Sequence, residues 1–544
     1  MRYPGHQAPF PRVAFGIRVA TLFFWAVALL APRQVAAQVA GADVRLGNLR
    51  DSFQNAFPGQ GPTATGGWTW GASLAVDETY NSATPNTGGT RDVRAKPDFY
   101  SSITPSVSVQ GEGPRLTGAL FYSPQARIYA KSPSQNTIAH SFNGTSHLTV
   151  IPDLAFVDMR GNTSLQSRGG GVGPTGTTSL SSQDQIQTTA LSVDSYLVHR
   201  FDNIGTAQLG YTIGQTIISG SRNQIASPFV TPQSDQSVRS MTPRFSFTTG
   251  DDFGRFQGSI QAQATTNAGT GPMAGSSRSS ETASGAYMLT RLWTLTGSVG
   301  HEKIDYAGLS PIHIDGPTWS GGVTVTPDPA SSIAISYGQK SGRPSLFFNA
   351  STALTSRIIM SGSYSEILSS SAEAAQAGLA NSTVGAGGIS INRTTGAPII
   401  SSDNFNGTQG AITYSKTVNA TVTWLRDRDT VSFSANRLQT QLVSAAVIGG
   451  PNATTGFNGT LSWQHEFSEN LRGNIFTLMG QRSATSAAGT KTNQNTMSIF
   501  GGLTYAISQT LATHLQATFT KMTNPLPTQK PTSTMIVIGL NKMF

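Results

Sequence analysis

The 544-residue chain contains no cysteine. That excludes a disulfide-rich extracellular module, a lipoprotein with a lipidated cysteine, a cysteine-ligated zinc site and a cysteine nucleophile. Charge is scarce too: Asp, Glu, Lys and Arg make up 12% of the chain, against about 25% in an ordinary soluble domain. Gly, Ser, Thr, Asn and Gln stand in their place. The hydrophobic fraction is only 37%, too low for a helical membrane protein. A disordered chain would carry more charge and fewer β-branched and aromatic residues. The 36 basic and 27 acidic side chains give a net charge of +9, or +5 without Arg2, Arg12, Arg18 and Arg33. The basic residues form no run, so nucleic-acid binding has no footprint here.

Long apolar runs are also missing. One stretch of thirteen residues, Val19 to Ala31, is interrupted by Thr21 alone. It is shorter than the roughly 18–20 residues of a spanning helix. Arg2, Arg12 and Arg18 precede it, and Val35-Ala36-Ala37 follows before Gln38. That order reads as a secretory signal over 1–37, removed on export. The absence of cysteine then suits a chain that crosses an oxidising periplasm unfolded. Residues 38–66 read as a short periplasmic segment, too short for a folded plug.

From residue 67 to 544 one design repeats. Segments of about ten to fifteen residues alternate apolar with small polar positions, the period of a strand with two unlike faces. Trp68, Trp70, Ala72, Leu74 and Val76 share one face, while Thr69, Gly71, Ser73 and Asp77 share the other. Leu116, Leu120, Tyr122 and Ile128 oppose Arg115, Thr117, Ser123, Gln125 and Arg127. Phe245 and Phe247 alternate with Arg244, Ser246 and Thr248. About 22 such segments are expected, within a range of 18–24.

The connections identify the architecture. Glu112-Gly113, Pro152-Asp153, Asp202-Asn203, Gly250-Asp251-Asp252, Pro327-Asp328-Pro329, Asp427-Arg428, Glu469-Asn470 and Ser508-Gln509 carry the residues of tight turns. Between them lie longer Gly-, Ser-, Thr- and Asn-rich connections: 81–97, 167–187, 218–236, 267–280, 305–316, 368–410, 481–494 and 522–532. Short–long alternation is the pattern of a large all-β, up-and-down antiparallel transmembrane barrel with short periplasmic turns and long extracellular loops. An even strand number puts both termini in the periplasm. Ile536, Ile538, Leu540 and the terminal Phe544 share one face, like a C-terminal assembly signal read by barrel-insertion machinery. Lys542 interrupts that face. Lipid offers no partner to a backbone N–H or C=O, so only helices or a closed, edge-free sheet can span it.

Several stretches resemble an outer-membrane family of unknown function associated with PEP-CTERM/exosortase and exopolysaccharide loci. They are GPRLTGALFYSPQARIYA (113–130), GTSHLTVIPDLAFVDMRGNTSLQS (144–167), YMLTRLWTLTGSVGHEKIDY (287–306) and GPTWSGGVTVTPDPASSIAISYGQKSGRPSLFFNAS (316–351). The resemblance implies an outer-membrane location of Gram-negative type and a link to polysaccharide or protein export, with exosortase-linked components as partners. It supplies no catalytic residues. Outer-membrane lipid and lipopolysaccharide would surround such a barrel.

Patterns of catalysis are weak. Gly171-Val172-Gly173-Pro174-Thr175-Gly176 fits the dinucleotide spacing but lies in a loop with no helix after it. His313-Ile314-Asp315, in an expected external loop, has no companion Ser, HExxH or paired carboxylates. His301-Glu302 and His465-Glu466 read as rim residues near strand ends. Asp251-Asp252 and Asp427/Asp429 read as turn caps rather than calcium ligands. No enzyme, metal or cofactor is expected. Trp68, Trp70, Trp293, Trp319, Trp424 and Trp463 fall at or near expected strand ends or on outward faces and read as interface girdles; a sugar platform would need lumen-facing rings, and for most of these the parity points outward. Arg115, Arg127 and Arg244 have inward parity. They either give the lumen a mild anion preference or pair with acidic loop residues. The expected function is a pore or export channel for hydrophilic solutes or exopolysaccharide, with loop 368–410 long enough to fold inward and constrict it. The alternatives are a non-conducting barrel that anchors or displays surface components, and an outer-membrane hydrolase.

Overall fold

The computed structural model describes residues 63–65, 67–84, 96–167, 185–220, 235–307, 311–329, 331–384, 390–392, 411–443, 451–524 and 530–544. The expected signal segment 1–37, most of 38–66 and the glycine motif at 171–176 lie outside them. Twenty-two long strands follow one another. They are β1 Trp68–Thr84, β2 Lys96–Glu112, β3 Leu116–Tyr129, β4 Thr137–Ile151, β5 Ala155–Ser167, β6 Gln185–Phe201, β7 Gly205–Ser219 and β8 Gln236–Thr249. Next come β9 Phe256–Gly269, β10 Ser277–Met288, β11 Trp293–Tyr306, β12 Ile312–Asp328, β13 Ser331–Lys340, β14 Arg343–Thr355 and β15 Ile358–Ser369. The circuit ends with β16 Thr413–Arg426, β17 Asp429–Leu442, β18 Pro451–Glu466, β19 Leu471–Ser486, β20 Lys491–Ser508, β21 Leu511–Met522 and β22 Thr532–Met543. The helix α1, Ser371–Ala380, leaves the top of β15.

Each strand pairs antiparallel with its sequence neighbour, and β22 pairs back onto β1 (Val76 opposite Leu540, Tyr80 opposite Ile536). The sheet therefore closes on itself with no edge strand. At the seam, Gly539 lets two inward side chains meet: a Cβ there would sit 2.1 Å from Asp77 Oδ1, and His514 Nε2 reaches that oxygen at 3.2 Å.

The strands run from 10 to 18 residues, longer than a bilayer needs at about 9–11 tilted residues. Three of the expected long loops are mostly strand for this reason. Residues 267–280, 305–316 and 481–494 extend their hairpins to connections of seven, five and four residues. Their polar, Gly- and Ser-rich sequence hides the alternation because above the membrane neither face is apolar. His313 and Asp315 accordingly lie in β12 rather than in a loop. All the tight turns expected from the sequence gather at one end, together with the start of β1 and with Phe544, whose N–H donates to the Ala72 carbonyl (2.9 Å).

Register fixes two faces. On β11, Trp293, Leu295 and Val299 point outward and are exposed, followed by His301, Lys303 and Asp305. Thr294, Thr296 and Ser298 point inward. Leu461, Trp463, Ile475, Met479, Ile499, Leu503, Ile536, Ile538 and Leu540 continue the exposed apolar belt round the wall. A belt of about ten tilted residues, ~25 Å tall, matches the hydrocarbon layer. Apolar atoms this exposed are stable only in lipid.

Candidate functional site

The lumen is the candidate site. Its wall is built from the inward positions, and their chemistry is mainly hydroxyl. Cross-strand pairs recur around the circuit: Ser73–Ser106 (2.6 Å), Ser259–Ser284 (2.7 Å), Ser298–Ser320 (2.6 Å), Thr421–Ser434 (3.2 Å) and Ser498–Thr520 (2.7 Å). Facing hydroxyls on adjacent strands satisfy one another and keep lone pairs for water.

Several charges enter this wall in pairs. Arg244 on β8 donates through Nε to Asp194 Oδ1 on β6 (3.3 Å) and lies over the Tyr196 ring (5.6 Å to its centre). The same Asp194 accepts from Thr212 Oγ1 (2.9 Å). Beside it Asp158 holds His147 (2.6 Å) and Arg160 (3.2 Å). Phe156 stands between His147 and Tyr196, with ring centres 5.5 and 5.4 Å apart and near-parallel planes. In the column His147–Phe156–Tyr196–Arg244 each ring stacks on its neighbour, so the facing surfaces of Phe156 and Tyr196 are taken. Of the three inward arginines expected from sequence, Arg244 is thus neutralised, by a wall aspartate and not by a loop. Arg127 is buried, with Gln125 Oε1 at 2.6 Å from Nη2 and the Tyr100 ring beneath it. Arg115 is exposed at the short-turn rim.

The six tryptophans all carry outward parity. Trp68, Trp70, Trp293, Trp424 and Trp463 lie toward the short-turn end. Trp319 lies higher and meets Tyr337 edge-on at 6.1 Å. Trp463 Nε1 donates to Asp429 (3.0 Å). His301 and His313 face outward above the belt, paired with Asp315 (2.9 Å) and Asp305. Glu302 between them turns inward and is buried. Among the described residues no group of three or more His, Asp or Glu is arranged to hold a metal ion.

At the long-loop end, part of the mouth is bridged by side chains from several strands. Above the Phe348–Tyr364 pair, β15 has no partner on its β14 side. Above Trp319, β12 has none on its β13 side. The freed tops of β15 and β16 roll over the mouth. Lower on their outward face Val418 is exposed; higher on the same face Leu368 and Tyr414 are buried against inward residues of other strands. They join Ile186, Ile218, Val238, Met273, Ile304, Tyr306, Ala372 and Ile412 in one apolar cluster that bridges the mouth. Each fully buried Ile or Leu there stabilises the closure by about 1.5–3 kcal/mol.

Helix α1 completes the closure. Ser370 Oγ accepts from the Glu373 N–H (3.2 Å), and Glu373 Oε2 accepts from the Ser370 N–H (3.0 Å), a capping box that starts the helix. The helix then docks on β5, β6 and β7. Gln376 Nε2 donates to Thr216 Oγ1 (2.8 Å) and to the Leu191 carbonyl (3.3 Å). The Tyr306 hydroxyl donates to Glu373 Oε2 (3.1 Å). The described part of loop 368–410 therefore folds inward, as its length allowed. Sequence reading had not found Asp194, Glu373 or Gln376, and Glu302, which reads from sequence as a rim residue, is turned inward and buried by the structure. The Ser370-x-x-Glu373 spacing before an Ala-rich run was the one available signal.

Fold and site together define the class: a membrane-spanning β-barrel with a polar lumen and a long-loop end bridged by an apolar cluster and a helix. No protein-family model matches the chain, and no curated protein does. Among solved structures, the FrpB iron transporter from Neisseria meningitidis (F5-1 variant) is similar at 10% identity, over 87% of this chain and 82% of that one, with a TM-score of 0.47. The ferric-catecholate import receptor Fiu from E. coli K12, open form, gives 11%, 89%, 82% and 0.45. The siderophore receptor PirA from Acinetobacter baumannii gives 9%, 87%, 80% and 0.45. Likenesses at this level carry nothing about cargo or mechanism.

Proposed function

We propose that the protein is an outer-membrane transport barrel that passes hydrophilic solutes, exopolysaccharide among them, through a lumen gated by the 368–410 loop and the rolled tops of β15 and β16. One observation carries the reading. The inward positions are mainly Ser, Thr, Asn and Gln below a mouth bridged by apolar contacts. A wall meant only to be filled would be apolar throughout, because buried hydroxyls cost free energy without adding packing. A 22-strand bore, roughly 40 Å across between backbones at the usual strand spacing and tilt, has room for hydrated cargo.

In this reading the short-turn end and both barrel termini face the periplasm, and the long connections face outward. The apolar belt contacts lipid and lipopolysaccharide, with the tryptophans at its edges. Ile536, Ile538, Leu540 and Phe544 serve insertion machinery, and any exosortase- or polysaccharide-linked partner would meet the exposed loops. The apolar seal favours one alternative, a non-conducting barrel that anchors surface components. Planar-bilayer recording separates the two. The intact protein is expected to conduct rarely, and a variant lacking 371–384 to conduct steadily. A variant that inserts and never conducts would overturn transport and favour the anchor.

A further inference from the structure

The hairpin joining β13 to β14 has only Ser341 and Gly342 between its strands, with φ of +50° and +70°. Both central residues in left-handed conformations make the tightest kind of hairpin turn, one that Gly342 accepts freely and Ser341 accepts at a cost. The flanking residues Lys340 and Arg343 pair directly across the strands, and register turns both inward. Like charges in that relation destabilise a hairpin by about 0.2–1 kcal/mol. Among the described residues no carboxylate lies within 4 Å of either. Both are solvent-exposed.

The carboxylates nearby are already engaged. Glu302 accepts from Arg278 Nε (3.1 Å) and from the N–H and hydroxyl of Ser341 (2.9 and 3.3 Å). Glu366 holds Tyr364, Tyr414 and Lys416, the last at 3.3 Å. Glu373 is taken by Ser370 and Tyr306. An ordinary exposed tip would let its two cations swing apart into water. This tip cannot move freely, because Ser341 is tied to Glu302 on the inner wall and Gly342 lies against Ile314. Arg343 is further fixed over the Tyr414 ring, 4.8 Å from its centre. A small cleft opens beside the tip, lined by Arg278, Lys340, Ser341, Ser345, Glu366 and Tyr414.

We infer that this tip, Lys340 and Arg343 with the hydroxyl of Ser345, is a binding site for an oxyanion, the carboxylate or phosphate carried by a hydrophilic cargo, at the barrel mouth. Two held cations, one of them a planar fork suited to two oxygens, and one hydroxyl donor match the oxygens of such a group. The ligand relieves a repulsion that the protein alone leaves standing. Only its standing as cargo rests on the transport reading; the site does not.

Calorimetric titration of the purified barrel in nanodiscs at low salt tests the site. The probes are inorganic phosphate, D-glucuronate and neutral glucose. One or both anions are expected to bind and glucose not to; which anion binds tells a phosphorylated from a uronate-bearing ligand. Lys340→Gln with Arg343→Gln should weaken anion binding roughly tenfold or more, with an unchanged or higher thermal midpoint because the repulsion is gone. Lys340→Arg should retain binding and guards against a folding defect in the double variant. Anion affinity unchanged in a folded double variant, or no anion binding to the wild type, overturns the site. Calorimetry needs no open pore. Binding without conductance keeps the site and removes transport; conductance without binding does the reverse.

Discussion

Gln376 bonds to Thr216 across the barrel mouth, although its helix leaves the wall from β15, eight strands round the circuit from Thr216 on β7. A loop that only decorated the rim would touch its neighbours. This one is held on the far wall.

Breaking that hold should loosen the gate without loosening the barrel. Gln376→Ala removes hydrogen bonds worth about 1 kcal/mol in net terms. The expected result is a several-fold rise in open time in single-channel recordings, with the thermal midpoint of the β-signal unmoved. An unchanged open time would show that the apolar cluster alone sets the closure.

Docking should also respond to pH through Glu373. Burial pushes its carboxyl above the usual carboxylate range, against the opposing pull of the Ser370 N–H, Arg278 and the Tyr306 hydroxyl. The docked helix thus holds the proton more tightly than the undocked one. Its stability is fully present below the ordinary value near 4.3 and is lost as pH rises through the docked value. Open probability should therefore climb with pH, and Glu373→Gln should flatten the climb. The same slope in both proteins would assign the dependence to another group.

The Arg244–Asp194 pair predicts the sign of selectivity. Asp194→Asn leaves Arg244 charged with no carboxylate partner and should shift the reversal potential in a salt gradient toward anions. Arg244→Gln should shift it toward cations. Measured in a variant lacking 371–384, equal reversal potentials in all three would place the narrowest charged region elsewhere.

The two faces of β11 should answer differently to one charge. Val299 points into the belt and is 65% exposed, so Val299→Arg should cost about 2–4 kcal/mol of folding stability in vesicles. Ser298→Arg, one residue earlier on the lumen side, should cost much less in the same denaturant titration. Similar losses at both positions would mean that the faces have been exchanged.

Much of this architecture could be read before any coordinates. The alternation from Trp68 to Val76 and the tight turns at Asp202-Asn203 and Gly250-Asp251-Asp252 gave closure, strand number and which face was which. The upper ends of the hairpins could not be read. There, Ser, Thr and Gly occupy both faces, so residues 305–316 look like loop although β11 and β12 continue through most of them. The lid was hidden for a different reason. Leu368 and Tyr414 sit on what is, by parity, the outer face, and only the loss of pairing above Tyr364 turns that face inward. The lumen arginines had correct parity, but parity does not reveal a partner fifty residues away such as Asp194.

The hydroxyl pairs of the inner wall have a consequence for anything that moves past them. A serine or threonine O–H can turn about its C–O bond in place, offering hydrogen to an anion and oxygen to a cation with no change in backbone. A wall of such groups behaves as a polarisable lining that follows the passing charge instead of selecting it. Discrimination then falls to the few places where polarity is fixed: the Arg244–Asp194 pair and the cations at the β13–β14 tip.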